Sequence, residues 1–132
     1  MNATEPETMI LVVDDAEDCA ATLSLALQTL AGVTVAHAVS AEEALAVLEC
    51  QTVSAVITDV QLPAMTGLEL IAALRAQPKF RKLPLLAISA DTDPETPARA
   101  LRLGADAYFA KPFSPGAVRK KLEELIHASS TA

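Results

Sequence analysis

Five charged or hydroxyl-bearing residues each stand at the end of a short apolar run in this sequence. Asp14 and Asp15 follow the first run, Asp59 follows the third, Ser89 closes the fourth and Lys111 follows the fifth. If these runs are parallel strands, their carboxyl ends meet at one edge of the sheet, which is where such sheets bind ligands. The order of the residues therefore predicts a single cluster of three acids, one hydroxyl and one ammonium group.

Such a cluster is suited to a phosphoryl group. Three neighbouring carboxylates repel one another and raise each other's pKa values. A hard divalent cation relieves that repulsion, and ligation by oxygen atoms with room for water suits Mg²⁺. Lys111 would supply a compact positive charge from the opposite side, and the Ser89 hydroxyl would donate to an oxygen atom held between the strands.

The phosphoryl group is expected to be attached to a carboxylate. We expect no Cys or His at this edge, and Ser89 has no adjacent general base. Asp59 lies centrally among the strands and is therefore the expected nucleophile. Taken singly, each residue has a simpler explanation, because an Asp after a strand often forms a turn or caps a helix, and a Lys before Pro is normally a surface residue.

The elements that must position these residues alternate between strand and helix five times. Strands are predicted over Met9–Val13, Val33–Val39, Val53–Thr58, Leu83–Ser89 and Asp106–Ala110. Helices are predicted over Glu17–Ala31, from a Ser40 cap through Leu48, over Gly67–Ala76, from Pro94 to Leu103, and from a Ser114 cap through Ile126. Short apolar strands that alternate with amphipathic helices indicate an α/β fold, a doubly wound parallel sheet of five strands with helices on both faces.

The domain organisation predicted from this alternation is simple. Residues 1–8 are expected to form a flexible tail, residues 9–128 one domain, and residues 129–132 a frayed end. No apolar run is long enough to span a membrane, and the polar start does not resemble a signal peptide. Two cysteines, Cys19 and Cys50, do not make a disulfide scaffold, so a soluble cytoplasmic protein is expected.

Charge is distributed unevenly over the 132 residues, whose formal net charge is −7. Residues 1–70 contain eleven acids and no Lys or Arg, whereas residues 71–132 carry a net charge of +4. A non-specific nucleic-acid binder needs a basic surface to neutralise phosphates, and anionic membranes select for the same property. The acidic first half therefore argues against direct binding to nucleic acid or to a membrane.

The ordered set of motifs resembles the receiver domain of two-component response regulators, from about Met9 to Ile126. The matching residues are Asp14-Asp15, the stretch ITDVQLPAMTG at 57–67, the Ser89-Ala90 pair, and Lys111-Pro112-Phe113 with Tyr108 three residues earlier. The resemblance implies the flavodoxin-like strand order 2-1-3-4-5. It also implies a phosphoacceptor signalling module rather than an enzyme, one that catalyses only its own phosphorylation and slow autodephosphorylation.

The resemblance further implies a metal centre and a phosphoryl donor. Asp15 and Asp59 would bind Mg²⁺ directly, together with the backbone carbonyl of Gln61, and Asp14 would act mostly through water. Mn²⁺ could replace Mg²⁺. Asp59 would take its phosphoryl group from a sensor histidine kinase or a histidine phosphotransfer protein.

A conformational switch is also implied by the resemblance. Lys111 would pair with one phosphoryl oxygen and Ser89 would swing in to bond another, after which Tyr108 would rotate into the space that Ser89 leaves. This rearrangement changes the surface made by helix four, strand five and helix five. Gln61 and Asp91 lie where side chains tune hydrolysis of the phosphate, and Asp91 either orients the attacking water or is merely exposed.

The chain departs from the usual receiver pattern in two places that concern this switch. Ser89 can donate the same hydrogen bond as the more usual Thr, but it lacks the methyl group that packs during the switch. Looser coupling to Tyr108 is therefore expected. Pro94 and Pro97 stiffen the start of helix four, so this helix is expected to be short or displaced.

The resemblance implies a downstream protein target and either a monomer or a phosphorylation-dependent dimer. The first helix could dock the phosphodonor through Leu25 and its small neighbours, or it could simply be a good helix former. Other classes remain as alternatives. An FMN-binding flavodoxin-like module needs a phosphate loop where two acids stand, an Mg²⁺-dependent aspartyl-phosphate phosphohydrolase normally carries a cap domain, and a pseudo-receiver would not be phosphorylated.

Overall fold

The sheet has five parallel strands in the order β2-β1-β3-β4-β5, in a computed structural model that describes residues 8–131. The strands are β1 (Thr8–Val13), β2 (Val33–Ala38), β3 (Ala55–Asp59), β4 (Leu85–Ser89) and β5 (Ala107–Ala110). The predicted parallel sheet and its order 2-1-3-4-5 are thus confirmed. This order places β1 and β3 side by side, so the acids that follow them lie at neighbouring positions of one edge.

Helices cover both faces of the sheet, as predicted. They are α1 (Glu17–Leu27), α2 (Ala41–Cys50), α3 (Gly67–Arg75), α4 (Thr96–Leu103) and α5 (Pro115–Thr131), with a short 3-10 helix at Pro78–Phe80. Buried residues of α1 and α5 pack on one face of the sheet. Those of α2, α3 and α4 pack on the other face.

The central strands are buried on both faces, which explains their continuous apolar character. Every residue of β3 and β4 is buried. Along β1, Ile10 and Val12 contact the α1 and α5 side, whereas Leu11 and Val13 contact the opposite side. Full burial of one such side chain contributes about 2 kcal/mol relative to leaving it exposed. The polar residues at the strand ends therefore project from a rigid apolar frame.

Several element boundaries differ from the sequence-based prediction. Helix α1 ends at Leu27 rather than at Ala31, because the N–H groups of Thr29 and Leu30 donate to carbonyls three residues back and tighten the chain into a turn. Helix α4 begins at Thr96 rather than at Pro94. It has only eight residues, in agreement with the short helix expected from its two prolines.

The ends of the chain also differ from the prediction. Thr8 belongs to β1 and not to the predicted tail, whose residues 1–7 lie outside the described residues. The α5 helix continues to Thr131, so helical backbone covers residues 129–131 of the predicted frayed end, and Ala132 lies outside the described residues. Within residues 8–131, no helix is both long and apolar enough to cross a membrane.

Candidate functional site

Lys111 joins the two buried acids at the carboxyl edge of the sheet. Its Nζ atom donates to Asp59 Oδ2 at 2.7 Å and to Asp14 Oδ2 at 3.2 Å. The Asp14 and Asp59 residues are 0% and 4% exposed, whereas 20% of the Lys111 side chain is open to solvent. The structure therefore brings together the acids and the lysine that were predicted to meet, although 97 and 52 residues separate Lys111 from them in sequence.

The charges at this site are strongly coupled. Burial raises the pKa of the Asp59 carboxyl, the nearby Asp14 adds to that shift, and the Lys111 ammonium and the Gln61 N–H offset part of it. Burial alone would lower the pKa of Lys111, but the hydrogen bonds and charges of Asp59 and Asp14 raise it overall. Lys111 therefore stays protonated and provides a fixed cation beside a carboxylate that is costly to bury.

Backbone donors hold both buried carboxylates in place. Asp59 Oδ1 accepts from the Gln61 N–H at 2.8 Å, and Asp14 Oδ1 accepts from the Ala16 N–H at 2.8 Å. With Lys111 on each Oδ2 atom, every carboxylate oxygen of Asp14 and Asp59 has at least one partner. A carboxylate oxygen has two acceptor sites, so both acids are oriented and still able to ligate a cation.

The three acids form a group that fits a divalent cation. Among the described residues, Asp14, Asp15 and Asp59 each offer a carboxylate oxygen, and these oxygens lie within 4.8 Å of one another. Asp15 is exposed while the other two are buried, so one side of the group faces water. Ligation by oxygen alone with access for water is the donor set that Mg²⁺ prefers. Gln61 is exposed and follows Asp59 by two residues, and the role of its carbonyl stays a prediction.

Ser89 is the last residue of β4, and Asp91 lies in the loop that leads from there to α4. Ser89 is fully buried, and its Oγ atom accepts from the Asp91 N–H at 2.9 Å. The Asp91 carboxylate accepts from the Asp93 N–H at 2.9 Å and from the Thr96 hydroxyl at 2.8 Å. These hydrogen bonds lower the pKa of Asp91. The Asp91 side chain is therefore partly buried and holds its own loop together through two hydrogen bonds.

Tyr108 lies on the same face of the sheet as Ser89. It is half-buried on β5, directly opposite Ala87 of β4, and it packs against the core on the side of α2, α3 and α4. Side chains two residues apart on a strand share a face, so Ala87 and Ser89 both border this position. The two residues predicted to form the switch therefore share a face of the sheet, and the switch role itself stays a prediction.

The expectation that no Cys or His lies at this edge is wrong. His37 Nε2 lies 2.7 Å from the Asp14 carbonyl oxygen, and the Cys19 thiol hydrogen-bonds the Asp14 side chain. Burial raises the pKa of Cys19 to about 12, with Asp14 adding to the shift. The thiol therefore stays protonated and does not compete with Asp59 as a nucleophile. The strand order could have predicted the position of His37. Strand β2 pairs with β1, and His37 is the second-last residue of β2.

The loop after β3 is packed tightly against the site. A Cβ atom on Gly67 would overlap the backbone carbonyl oxygen of Asp59, so only glycine fits there. The Gly67 N–H donates to the Val60 carbonyl at 2.9 Å, and a reciprocal capping box between Thr66 and Glu69 fixes the start of α3. Ala64 has a φ of 60°, which is unusual for a residue with a Cβ atom.

A groove lies far from these acids, at the amino-terminal edge of the sheet. Its volume is about 840 Å³, and its walls include the segments 48–54 and 78–84. None of the residues predicted for chemistry lines it. The size of a cavity is therefore a poor guide to the reactive site in this chain, where function is expected from a shallow cluster of charges.

The chain is similar to response regulators and to chemotaxis proteins of the CheY type. The response regulator receiver domain family matches residues 10–123. A chemotaxis protein CheY homolog from Campylobacter jejuni is 31% identical over 122 residues, which cover 92% of this chain and 94% of that protein. A putative response regulator from Chloroflexus aurantiacus superposes with a TM-score of 0.86 at 33% identity, covering 92% of this chain and 99% of that one.

A second solved structure gives the same picture. The chemotaxis response regulator CheY4 of Vibrio cholerae superposes with a TM-score of 0.81 at 32% identity, covering 91% of this chain and 99% of that one. The family match runs from within β1 into α5 and so includes every strand-end residue described above. This chain belongs to the response regulator receiver domain family, the receiver modules of two-component signalling systems.

Proposed function

We propose that Asp59 is the phosphoacceptor and takes its phosphoryl group from the phosphohistidine of a sensor histidine kinase or a histidine phosphotransfer protein. A carboxylate oxygen of Asp59 attacks phosphorus, the P–N bond to the imidazole breaks, and an aspartyl phosphate forms. The observation that carries this proposal is the position of Asp59, which lies 2.7 Å from the Lys111 ammonium and beside Asp14 and Asp15.

Asp14, Asp15 and Asp59 are the residues that would hold Mg²⁺, or Mn²⁺ in its place, together with the Gln61 backbone carbonyl. When bound, the cation withdraws negative charge from the transferring phosphoryl group. Lys111 neutralises a phosphoryl oxygen from the other side, and its raised pKa keeps it protonated for that task. The acid cluster supports the metal assignment, because three carboxylates this close are stabilised by a cation between them.

The Ser89 hydroxyl donates to a second phosphoryl oxygen, and Tyr108 then rotates into the space that Ser89 leaves. The surface of α4, β5 and α5 changes as a result and is recognised by a downstream protein target. The half-buried position of Tyr108 supports this assignment. Gln61, which is exposed and follows Asp59 by two residues, is assigned the tuning of phosphate hydrolysis.

The remaining parts of the proposal concern the setting in which the chain works. It is a signalling module that catalyses only its own phosphorylation and slow dephosphorylation. It works in the cytoplasm, without contacts to nucleic acid or membrane, as a monomer or as a dimer that forms on phosphorylation. Similarity to receiver domains supports this setting, and it does not favour the phosphohydrolase alternative.

Phosphorylation by a small donor tests the proposal directly. The purified chain is incubated with acetyl phosphate and Mg²⁺, and its intact mass is measured. A gain of one phosphate is expected in the parent chain and in the control Asp18→Asn, whose carboxyl is exposed on α1. Asp59→Asn should show no gain. A gain that persists in Asp59→Asn contradicts the proposal, and steady turnover of phosphate esters would indicate a phosphohydrolase.

A further inference from the structure

A chain of hydrogen bonds links the Ser89 hydroxyl to the first residue of α4. The Asp91 N–H donates to Ser89 Oγ at 2.9 Å, and the Thr96 hydroxyl donates to Asp91 Oδ2 at 2.8 Å. The other carboxylate oxygen of Asp91 accepts from the Asp93 N–H. Ser89 and Thr96 are 0% and 1% exposed, so this series of hydrogen bonds begins and ends at side chains in the protein interior.

The bond from Asp91 constrains what the Ser89 hydroxyl can do. A serine hydroxyl has one donor and two acceptor sites. Because the Asp91 N–H occupies an acceptor site, the single O–H donor stays available for an oxygen acceptor elsewhere. A phosphoryl group on Asp59 offers such an acceptor on the adjacent strand, where Asp59 pairs with Ile88, the residue before Ser89.

We propose that Asp91 and Thr96 are positioning residues that couple the Ser89 hydroxyl to the amino end of α4. This inference rests on the proposed phosphorylation of Asp59. When the Ser89 hydroxyl turns toward the phosphoryl group, the Asp91 N–H follows it and the loop moves. The charge-assisted bond between Asp91 and Thr96 then carries that movement into α4.

The hydrogen bonds of the Asp91 carboxylate support this positioning role. Both carboxylate oxygens of Asp91 are engaged, by the Asp93 N–H and the Thr96 hydroxyl, in bonds internal to the loop. The bonds that the carboxylate makes in the described structure lie within its own loop, and each oxygen keeps a second acceptor site. The route to α4 also bypasses Tyr108, whose coupling to Ser89 is expected to be loose because Ser89 lacks a methyl group.

Amide chemical shifts of α4 measure the coupling. Beryllofluoride with Mg²⁺ serves as a stable mimic of the phosphoryl group, and the shift changes that it causes are compared between variants. Thr96→Val keeps the shape of the side chain and removes its hydroxyl, while Thr96→Ser restores the hydroxyl. Thr92→Val is the matched control, because Thr92 is exposed in the same loop.

The α4 shift changes should fall about threefold in Thr96→Val, the effect of removing one hydrogen bond from a two-state coupling. They should return in Thr96→Ser and stay at parent size in Thr92→Val. Shift changes of β3 and β4 amides near Asp59 should persist in all variants. Full α4 changes in Thr96→Val would overturn the proposal. If Thr96→Val does not fold, Asp91→Ala gives the same readout from a side chain nearer the surface.

The lifetime of the phosphate on Asp59 gives a second, independent readout. If Asp91 acts through Thr96, then Asp91→Ala and Thr96→Val should change the rate of phosphate loss in the same direction and to a similar extent. A change in Asp91→Ala alone would show that Asp91 orients the attacking water, which contradicts the positioning role. Failure of the parent chain to take up phosphate would contradict the proposed function of Asp59 instead, so the two failures are distinguishable.

Discussion

The Lys111 ammonium lies 2.7 Å from Asp59 Oδ2, and the same nitrogen reaches Asp14 at 3.2 Å. One cation from the basic second half of the chain thus offsets two buried anions from the acidic first half. Lys111, Asp14 and Asp59 together leave one negative charge in excess, before Asp15 is counted. The site is therefore ready for a further cation, and it is electrostatically costly to the folded state until that cation binds.

Removing the carboxylate of Asp59 should stabilise the protein. A carboxyl whose folded-state pKa is raised opposes folding fully at pH values above that folded pKa, and this opposition is lost as the pH falls from the folded pKa to the unfolded one. Asp59→Asn should therefore unfold with a free energy about 1 kcal/mol higher at neutral pH. The difference should shrink on acidification. Denaturant titrations at several pH values, without divalent cations, measure both effects, and a difference that grows on acidification would contradict them.

Removing the Lys111 ammonium should have the opposite effect. Lys111→Met leaves Asp14 and Asp59 facing each other without a cation, and breaking such a pair costs about 2 kcal/mol at a site partly open to water. Thermal unfolding in a chelator should show the loss. Adding Mg²⁺ should recover part of it, because the metal replaces the missing charge. Equal stability of the variant and the parent in chelator would show that the ammonium is not needed by the buried acids.

Mg²⁺ should stabilise the folded chain by binding to the acid cluster. At about ten times the dissociation constant, a ligand specific for the folded state adds about 1.4 kcal/mol to the free energy of unfolding. Thermal shift titrations with MgCl₂ measure this gain. Asp15→Asn should lose most of it, while Asp18→Asn, which alters an exposed acid three residues away, should keep it. Equal gains in the two variants would place the cation elsewhere.

The tight contact between Gly67 and Asp59 should make this glycine irreplaceable. In Gly67→Ala the added Cβ atom meets the Asp59 carbonyl, which is backbone and cannot move aside without displacing the nucleophile. We expect a loss of about 2 kcal/mol in stability and slower phosphorylation by acetyl phosphate. Gly116→Ala is the matched control, because the nearest atom to its Cβ would be Ser114 Oγ at 3.8 Å. Normal phosphorylation of Gly67→Ala would refute the steric argument.

The two cysteines should differ sharply in reactivity. A pKa of about 12 leaves Cys19 with a thiolate population roughly a thousandfold smaller than that of an ordinary thiol. Cys50 is exposed, and both cysteines are free. Iodoacetamide should therefore label Cys50 first in the native protein, and Cys50→Ser should react slowly until denaturant is added. Rapid labelling of native Cys50→Ser would show that Cys19 is more accessible than its burial indicates.

Much of the site was predictable because it depends on strand ends. The burial of β1, β3 and β4 makes their apolar runs easy to recognise, and parallel pairing then brings Asp14, Asp59 and Lys111 to one edge. The cluster of acids follows from patterns that a single sequence displays, whereas the strand order came from the resemblance to receiver domains. Asp59 stays the predicted nucleophile, on the basis of its central position among the strands.

Other features depend on side-chain directions that no local pattern encodes. His37 reaches the Asp14 carbonyl only because β2 pairs with β1 in one particular register. Asp91 accepts a hydrogen bond from Thr96 because the loop folds back on itself, and the prolines at 94 and 97 do not specify that fold.

Arg75 is a further case that the sequence pattern missed. At the end of α3 it donates to the carbonyls of Gly104 and Phe80 and to the Asp106 carboxylate. It thereby joins the connection after α3 to the loop between α4 and β5, at the edge opposite the acids. Its partners lie up to 31 residues away, so only the folded chain reveals them.

The shortness of α4 has an energetic consequence for signalling. Helices of eight residues are far below the length at which an isolated helix is stable in water, so the position of α4 depends on its docking contacts. Buried contacts are provided mainly by Thr96 and Ala100. The free energy that fixes the position of α4 therefore comes from these contacts and not from the helix itself. A new hydrogen bond at Asp59 that alters those contacts would move α4 with them.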